Sequence, residues 1–136
     1  MSMATLDLKA PSINIRFDKG KTLKPVFYYL SPTHTVIDLA GYTARMQVRL
    51  DYTTADPAIW DLTTENTGLD IVTGTATLED GSTVASAQGI KLNITDTQTS
   101  DVDWDRAVFD IELIEPGLDV LPFVKGTLKP YPEATR

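Results

Sequence analysis

The sequence predicts an all-β protein: an antiparallel β-sandwich of about seven strands with one short helical connection. Three observations carry this. The dominant hydrophobic period is two, turn-forming residues punctuate the chain at short intervals, and only one short stretch reads as helix. The chain has 136 residues, of which 42% are hydrophobic and 23% charged, so one conventional core is within its means.

The clearest strand is Tyr42 to Leu50. Tyr42, Ala44, Met46, Val48 and Leu50 share one face, and Thr43, Arg45, Gln47 and Arg49 share the other. Strict alternation is the mark of a half-buried strand, with the Arg/Gln face in solvent or at an interface. Ile90, Leu92 and Ile94 repeat the pattern, as do Ala107, Phe109, Ile111 and Leu113, and more loosely Ile13, Ile15 and Phe17. Val26 to Leu30 is apolar on both faces, which suits a central strand. Leu69 to Leu78 is rich in β-branched residues, with Gly74 marking a bulge or a bend between two short strands. Val120 to Leu128 closes the set, and Pro122, lacking an N–H, belongs at an edge or a bulge. Turns are expected at Asp18–Lys21, Ser31–His34, Glu79–Ser82 and Glu115–Asp119. The helical stretch is Thr97 to Trp104, capped by Asp96 or Thr97. Asp51 to Trp60 reads as the longest loop. Residues 1–11 are expected to form an N-terminal arm, 12–129 the sandwich, and 130–136 a C-terminal tail.

Charge and composition narrow the function classes. Twelve basic residues against 19 acidic ones give a net charge of −7. With no basic stripe apparent along the sequence, nucleic acid is not expected as a partner. There is no cysteine, hence no disulfide, thiolate nucleophile or thiolate metal site. The first residues, Met1 to Asp7, show neither a basic nor an apolar signal region, and no apolar run approaches membrane-spanning length. Synthesis and folding in the cytoplasm, with no membrane association, are expected.

Chemistry finds little purchase. The one histidine, His34, sits in a Ser-Pro-Thr-His-Thr turn with no carboxylate or second ligand nearby in sequence, and reads as an exposed loop residue. Asp101, Asp103 and Asp105, with Glu112 further on, copy part of a calcium-loop spacing. The pattern fails at Arg106, where such a loop needs glycine, and the chain then enters a strand that carries Glu112 away. No serine lies in a nucleophile motif, and there is no phosphate-cradling glycine loop. The expectation is no catalytic residue, no metal, no cofactor and no enzyme. Tyr28, Tyr29, Trp60, Trp104 and Tyr131 could line a carbohydrate- or receptor-binding surface. Aromatic residues in strands more often build the core and its rim.

Three stretches together resemble a group of small tailed-bacteriophage virion proteins from the baseplate and tail-fibre region. They are Ile37–Arg49, with its Ile-Asp-Leu, Gly-Tyr and Arg-bearing strand; Ala107–Leu113; and Gly126–Arg136, ending Pro-Glu-Ala-Thr-Arg. Phe109 stands where that group has tyrosine, and Ala134 where it has valine. The resemblance implies an immunoglobulin-like sandwich, Gly41 and Gly126 at turns or bulges, and a non-enzymatic structural role. It places the protein in the virion, in several copies, against other virion proteins of the tail or baseplate. Decoration of the capsid surface is the next choice within that role.

Overall fold

A computed structural model describes residues 12–51, 58–117 and 119–131 of the chain. The expected N-terminal arm, most of the Asp51–Trp60 loop and the last five residues lie outside them. Eight strands and one helix follow in order. They are β1 (Ser12–Phe17), β2 (Val26–Tyr28), β3 (Thr43–Arg49), β4 (Trp60–Thr63), β5 (Leu69–Thr77), β6 (Thr83–Leu92), α1 (Asp96–Ser100), β7 (Ala107–Ile114) and β8 (Val120–Pro130). A five-stranded sheet runs β1-β8-β7-β3-β4, and a three-stranded sheet runs β2-β6-β5. The all-β class is as the sequence predicts.

One core serves both sheets. Ala44, Met46 and Val48 of β3 and Phe109, Ile111 and Leu113 of β7 meet Leu69 of β5 and Ile90 and Leu92 of β6, all within 1% of full burial. Each such large side chain is worth roughly 1.5–3 kcal/mol when removed from water. The period-two pattern of β3 and β7 is therefore a record of this burial. It stops at Arg49, and Leu50, which the alternation placed inside, is 51% exposed.

The departures from expectation have local causes. The larger sheet is mixed, because β1 pairs with β8 in parallel while its other pairs are antiparallel. β2 is an edge strand of three residues; its residues are only half-buried, so its aromatic run does not mark a central strand. β4 begins at Trp60, where only a loop was expected: its four residues are too few to show a period. Leu69–Thr77 is one strand, not two. The irregularity near Gly74 is a bulge on the partner: Ala85 and Ser86 of β6 stand opposite Thr75 alone, and Ser86 takes φ 57°. Pro122 does adjoin a bulge, for Phe123 is the extra residue of β8, and both Phe123 and Val124 turn into the core.

The helix is shorter than expected. Thr95 caps it, in a capping box in which its hydroxyl accepts from the Gln98 N–H and the Gln98 side chain accepts from the Thr95 N–H. Trp104 lies beyond it. Buried Thr99 ties the helix to the β1–β2 turn: its hydroxyl donates to the Lys21 carbonyl at 2.8 Å and accepts from the Gly20 N–H at 3.0 Å.

The chain also continues in order past residue 129. Pro130 ends β8, and the Tyr131 N–H donates to the Phe17 carbonyl at 2.8 Å. Gly41 sits in a turn at φ +81°, as expected. Gly126 does not; it lies in the middle of β8, opposite Ile13 of β1. A Cβ there would overlap the Ile13 carbonyl, so glycine is what lets β1 approach. Gly126→Ala is expected to lower unfolding free energy by about 1–3 kcal/mol in urea titrations. Amide exchange should accelerate first at Ile13 and Ile15.

Candidate interaction surface

Burying one side of each strand obliges the residues between to face out. On the five-stranded sheet those include Asn14 and Arg16 of β1; Lys125, Thr127 and Lys129 of β8; and Asp110 and Glu112 of β7, with Val108 of β7 buried between Arg49 and Thr127 on the same face. β3 and β4 continue the face with Arg45, Gln47, Arg49, Asp61 and Thr63. Arg106, one residue before β7, joins them: Ala107 pairs with Leu128, which sets Arg106 beside Lys129. Every arginine among the described residues is thus on this face. Six of the chain's 12 basic side chains meet three of its 19 acidic ones here, leaving the face at +3 in a protein of net charge −7. The sequence shows no basic stripe; the sheet assembles one.

The two ends of the face differ. At the β3 end the arginines have side-chain hydrogen-bond partners. Arg45 Nε donates to Glu112 Oε1 at 2.6 Å, and Arg49 donates to Gln47 Oε1 at 3.1 Å. The Arg45 and Glu112 side chains are half and one-third exposed, so this ion pair organises the surface more than it stabilises the fold. Asp110 lies between Gln47 and Lys125 in the register. Partial desolvation, reinforced by Glu112, raises its pKa above the ordinary aspartate range against the opposing pull of Arg49 and Arg45.

At the β1 end, Arg16 and Lys129 stand side by side on adjacent strands, with Arg106, just before β7, on the other side of Lys129. No carboxylate of the described residues lies within 4.0 Å of any of them. Like charges directly opposite across strands are destabilising. The row borders a groove of about 610 Å³ whose walls also include Lys19, Asp103, Asp105, Trp104 and Tyr131. Arg16 stacks over the Tyr131 ring at 5.4 Å, and Thr127 bonds Asn14 at 2.6 Å in the next row.

The aromatic residues divide. Trp60 is buried and meets Trp104 edge-to-face at 5.9 Å; Trp104 in turn meets Phe17 at 6.0 Å. Trp104 thereby spans from one edge strand of the sheet to the other, each contact worth roughly 0.5–1.5 kcal/mol beyond burial. Tyr29 packs on Phe123 at 5.4 Å, and Tyr28 lies against Gly74. Tyr131 alone of the five is largely exposed, at 47%.

His34 is exposed, at φ 62°, in a turn laced by the hydroxyls of Ser31, Thr33 and Thr35. The fold brings Asp80, in the β5–β6 turn, within electrostatic reach of it, which the sequence did not show. The Asp80 carboxylate accepts from the Ser82 hydroxyl and N–H, bonds that with the His34 charge hold its pKa below the usual value. Asp101, Asp103 and Asp105 are exposed between α1 and β7. Among the described residues no three histidine or carboxylate side chains gather in a metal-binding group. No helix there is long and apolar enough to cross a membrane.

No protein-family model matches this chain, and no curated protein matches it in sequence.

The raised pKa of Asp110 has a sign that can be checked. The folded state holds this proton more tightly than the unfolded chain does. Its favourable contribution is complete below the unfolded pKa, near 3.9, and is lost as pH rises through the higher folded value. Asp110→Asn is therefore expected to raise Tm at pH 7 and to leave it unchanged near pH 3, as thermal unfolding followed by circular dichroism would read.

Proposed function

We propose that this chain is a non-enzymatic structural protein of a tailed-phage virion, most simply a tail, baseplate or fibre-attachment component working through protein–protein contacts. The observation that carries the contact role is the charge-segregated outer face of the five-stranded sheet. It gathers half the chain's cations on a strand-built surface and leaves Arg16, Arg106 and Lys129 without carboxylate partners among the described residues. Rigid strands hold those groups in fixed register, which suits docking against one defined neighbour. The phage context is supported by the resemblance of Ile37–Arg49, Ala107–Leu113 and Gly126–Arg136, and the immunoglobulin-like form of the sandwich belongs to the same proposal.

A protein partner fits this face better than nucleic acid. Asp61, Asp110 and Glu112 interrupt the cations, and a phosphate backbone would meet a chain of net charge −7. An acidic or mixed-charge protein surface matches it, with association that weakens as salt rises. A carbohydrate- or receptor-binding module is the second reading. What favours it is the groove in which Trp104 and Tyr131 stand beside Arg16 and Lys129.

Mass spectrometry of purified virions with immunogold labelling separates these. Label at the tail end supports the proposal, label on the head moves the role to capsid decoration, and absence from particles ends both. Within a particle-bearing system, the Arg16→Gln, Arg106→Gln, Lys129→Gln triple variant is expected to fold normally and to fall at least tenfold in incorporation. Binding to an acidic glycan array, lost in the same variant, would favour the second reading.

A further inference from the structure

Four strand edges border the two sheets: β1, β4, β2 and β5. Edge strands expose backbone N–H and C=O groups, and proteins blunt them with brevity, proline or charge. Three of the four edges are blunted here. β2 has three residues and follows Lys24-Pro25. β4 has four residues, one of them the exposed Asp61. β1 carries Arg16 among its six.

β5 is different. It runs nine residues, Leu69 to Thr77, with no proline, no lysine or arginine, and four threonine or valine residues among its last six. Its only charge, Asp70, accepts a hydrogen bond from Asn93 at 2.9 Å, and Asn93 follows the neighbouring strand β6, so the carboxylate is tied back to its own molecule. The bulge that interrupts the β5–β6 ladder lies in β6 and leaves β5 itself continuous. Among the described residues, the backbone of β5 pairs with β6 and with no other element.

We infer that β5 is a self-association edge, and that its occupant is β5 of a second copy, antiparallel about a two-fold axis at Thr73. That register is self-complementary. It sets Leu69 beside Thr77, Asp70 beside Ala76, Ile71 beside Thr75, and Val72 beside Gly74, with Thr73 meeting its own copy. The charged residue meets alanine, so no like charges oppose one another. Two three-stranded sheets become one six-stranded sheet across the dimer, and a two-fold contact of this kind closes rather than propagates. Because it uses the smaller sheet, the outer face of the larger sheet stays free for other partners. The inference does not depend on the virion reading.

Sedimentation velocity of the full chain from low micromolar to submillimolar concentration tests it. A monomer–dimer equilibrium is expected, with the Thr73→Lys variant raising the dissociation constant at least tenfold, its Tm unchanged at concentrations where both chains are monomeric. Thr73→Val is expected to leave the dissociation constant within about twofold. In the unmodified protein, amide exchange across Leu69–Thr77 should slow as concentration rises while that of Trp60–Thr63 stays constant. A chain monomeric throughout the range, or a dimer indifferent to Thr73→Lys, overturns the inference. Absence of the protein from virions would leave this result untouched, so the two readings fail separately.

Discussion

The arrangement of this protein depends on one constraint, the burial of alternate residues of β3 and β7 against β5 and β6. Met46, Val48, Phe109, Ile111 and Leu113 cannot leave the core without exposing large apolar area. A slip of one residue would reverse every side chain of a strand. Arg45, Gln47, Arg49, Asp110 and Glu112 therefore face outward as a consequence of packing. The candidate interaction surface follows from the same packing: the pattern that fills the core also dictates which groups stand outward.

The row of three cations at one end of that surface exists only through the parallel pairing of β1 with β8. Without it, Arg16 would be far from Lys129 and Arg106, and the row of three would not exist. The pairing itself depends on the missing side chain at Gly126, which lets the Ile13 backbone come close. At one end of the sheet Trp104 completes the closure, bridging Phe17 on one edge to Trp60 on the other. Glycine and tryptophan thus do opposite jobs at the same sheet, one by leaving room and the other by filling it.

Much of the fold was legible in the sequence where a strand has one wet face. β3 and β7 were readable almost residue by residue, since Ala44-x-Met46-x-Val48 and Ala107-x-Phe109-x-Ile111-x-Leu113 are written in the period of a sheet. The edge strand β4 was not: Trp60–Thr63 offers two buried residues, too few for a period. Non-local pairing was also hidden. Nothing near Ser12–Phe17 announces a partner more than a hundred residues away, so the gathering of Arg16, Arg106 and Lys129 could not be foreseen. The Thr95-Asp96-Thr97-Gln98 capping box was in plain view, but neighbouring Asp96 and Thr97 are equally good caps by residue type.

The proposed docking of the outer face of the five-stranded sheet against a protein neighbour in the assembled particle can be read residue by residue. Arginine-selective and lysine-selective footprinting of the free chain and of the purified particle, read by mass spectrometry, addresses it directly. Arg16, Arg106 and Lys129 are expected to react in the free protein and to be protected in the particle, while Lys24, just before β2, and Lys91 of β6, both away from the groove, react in both. Equal reactivity of the three in both states would contradict it.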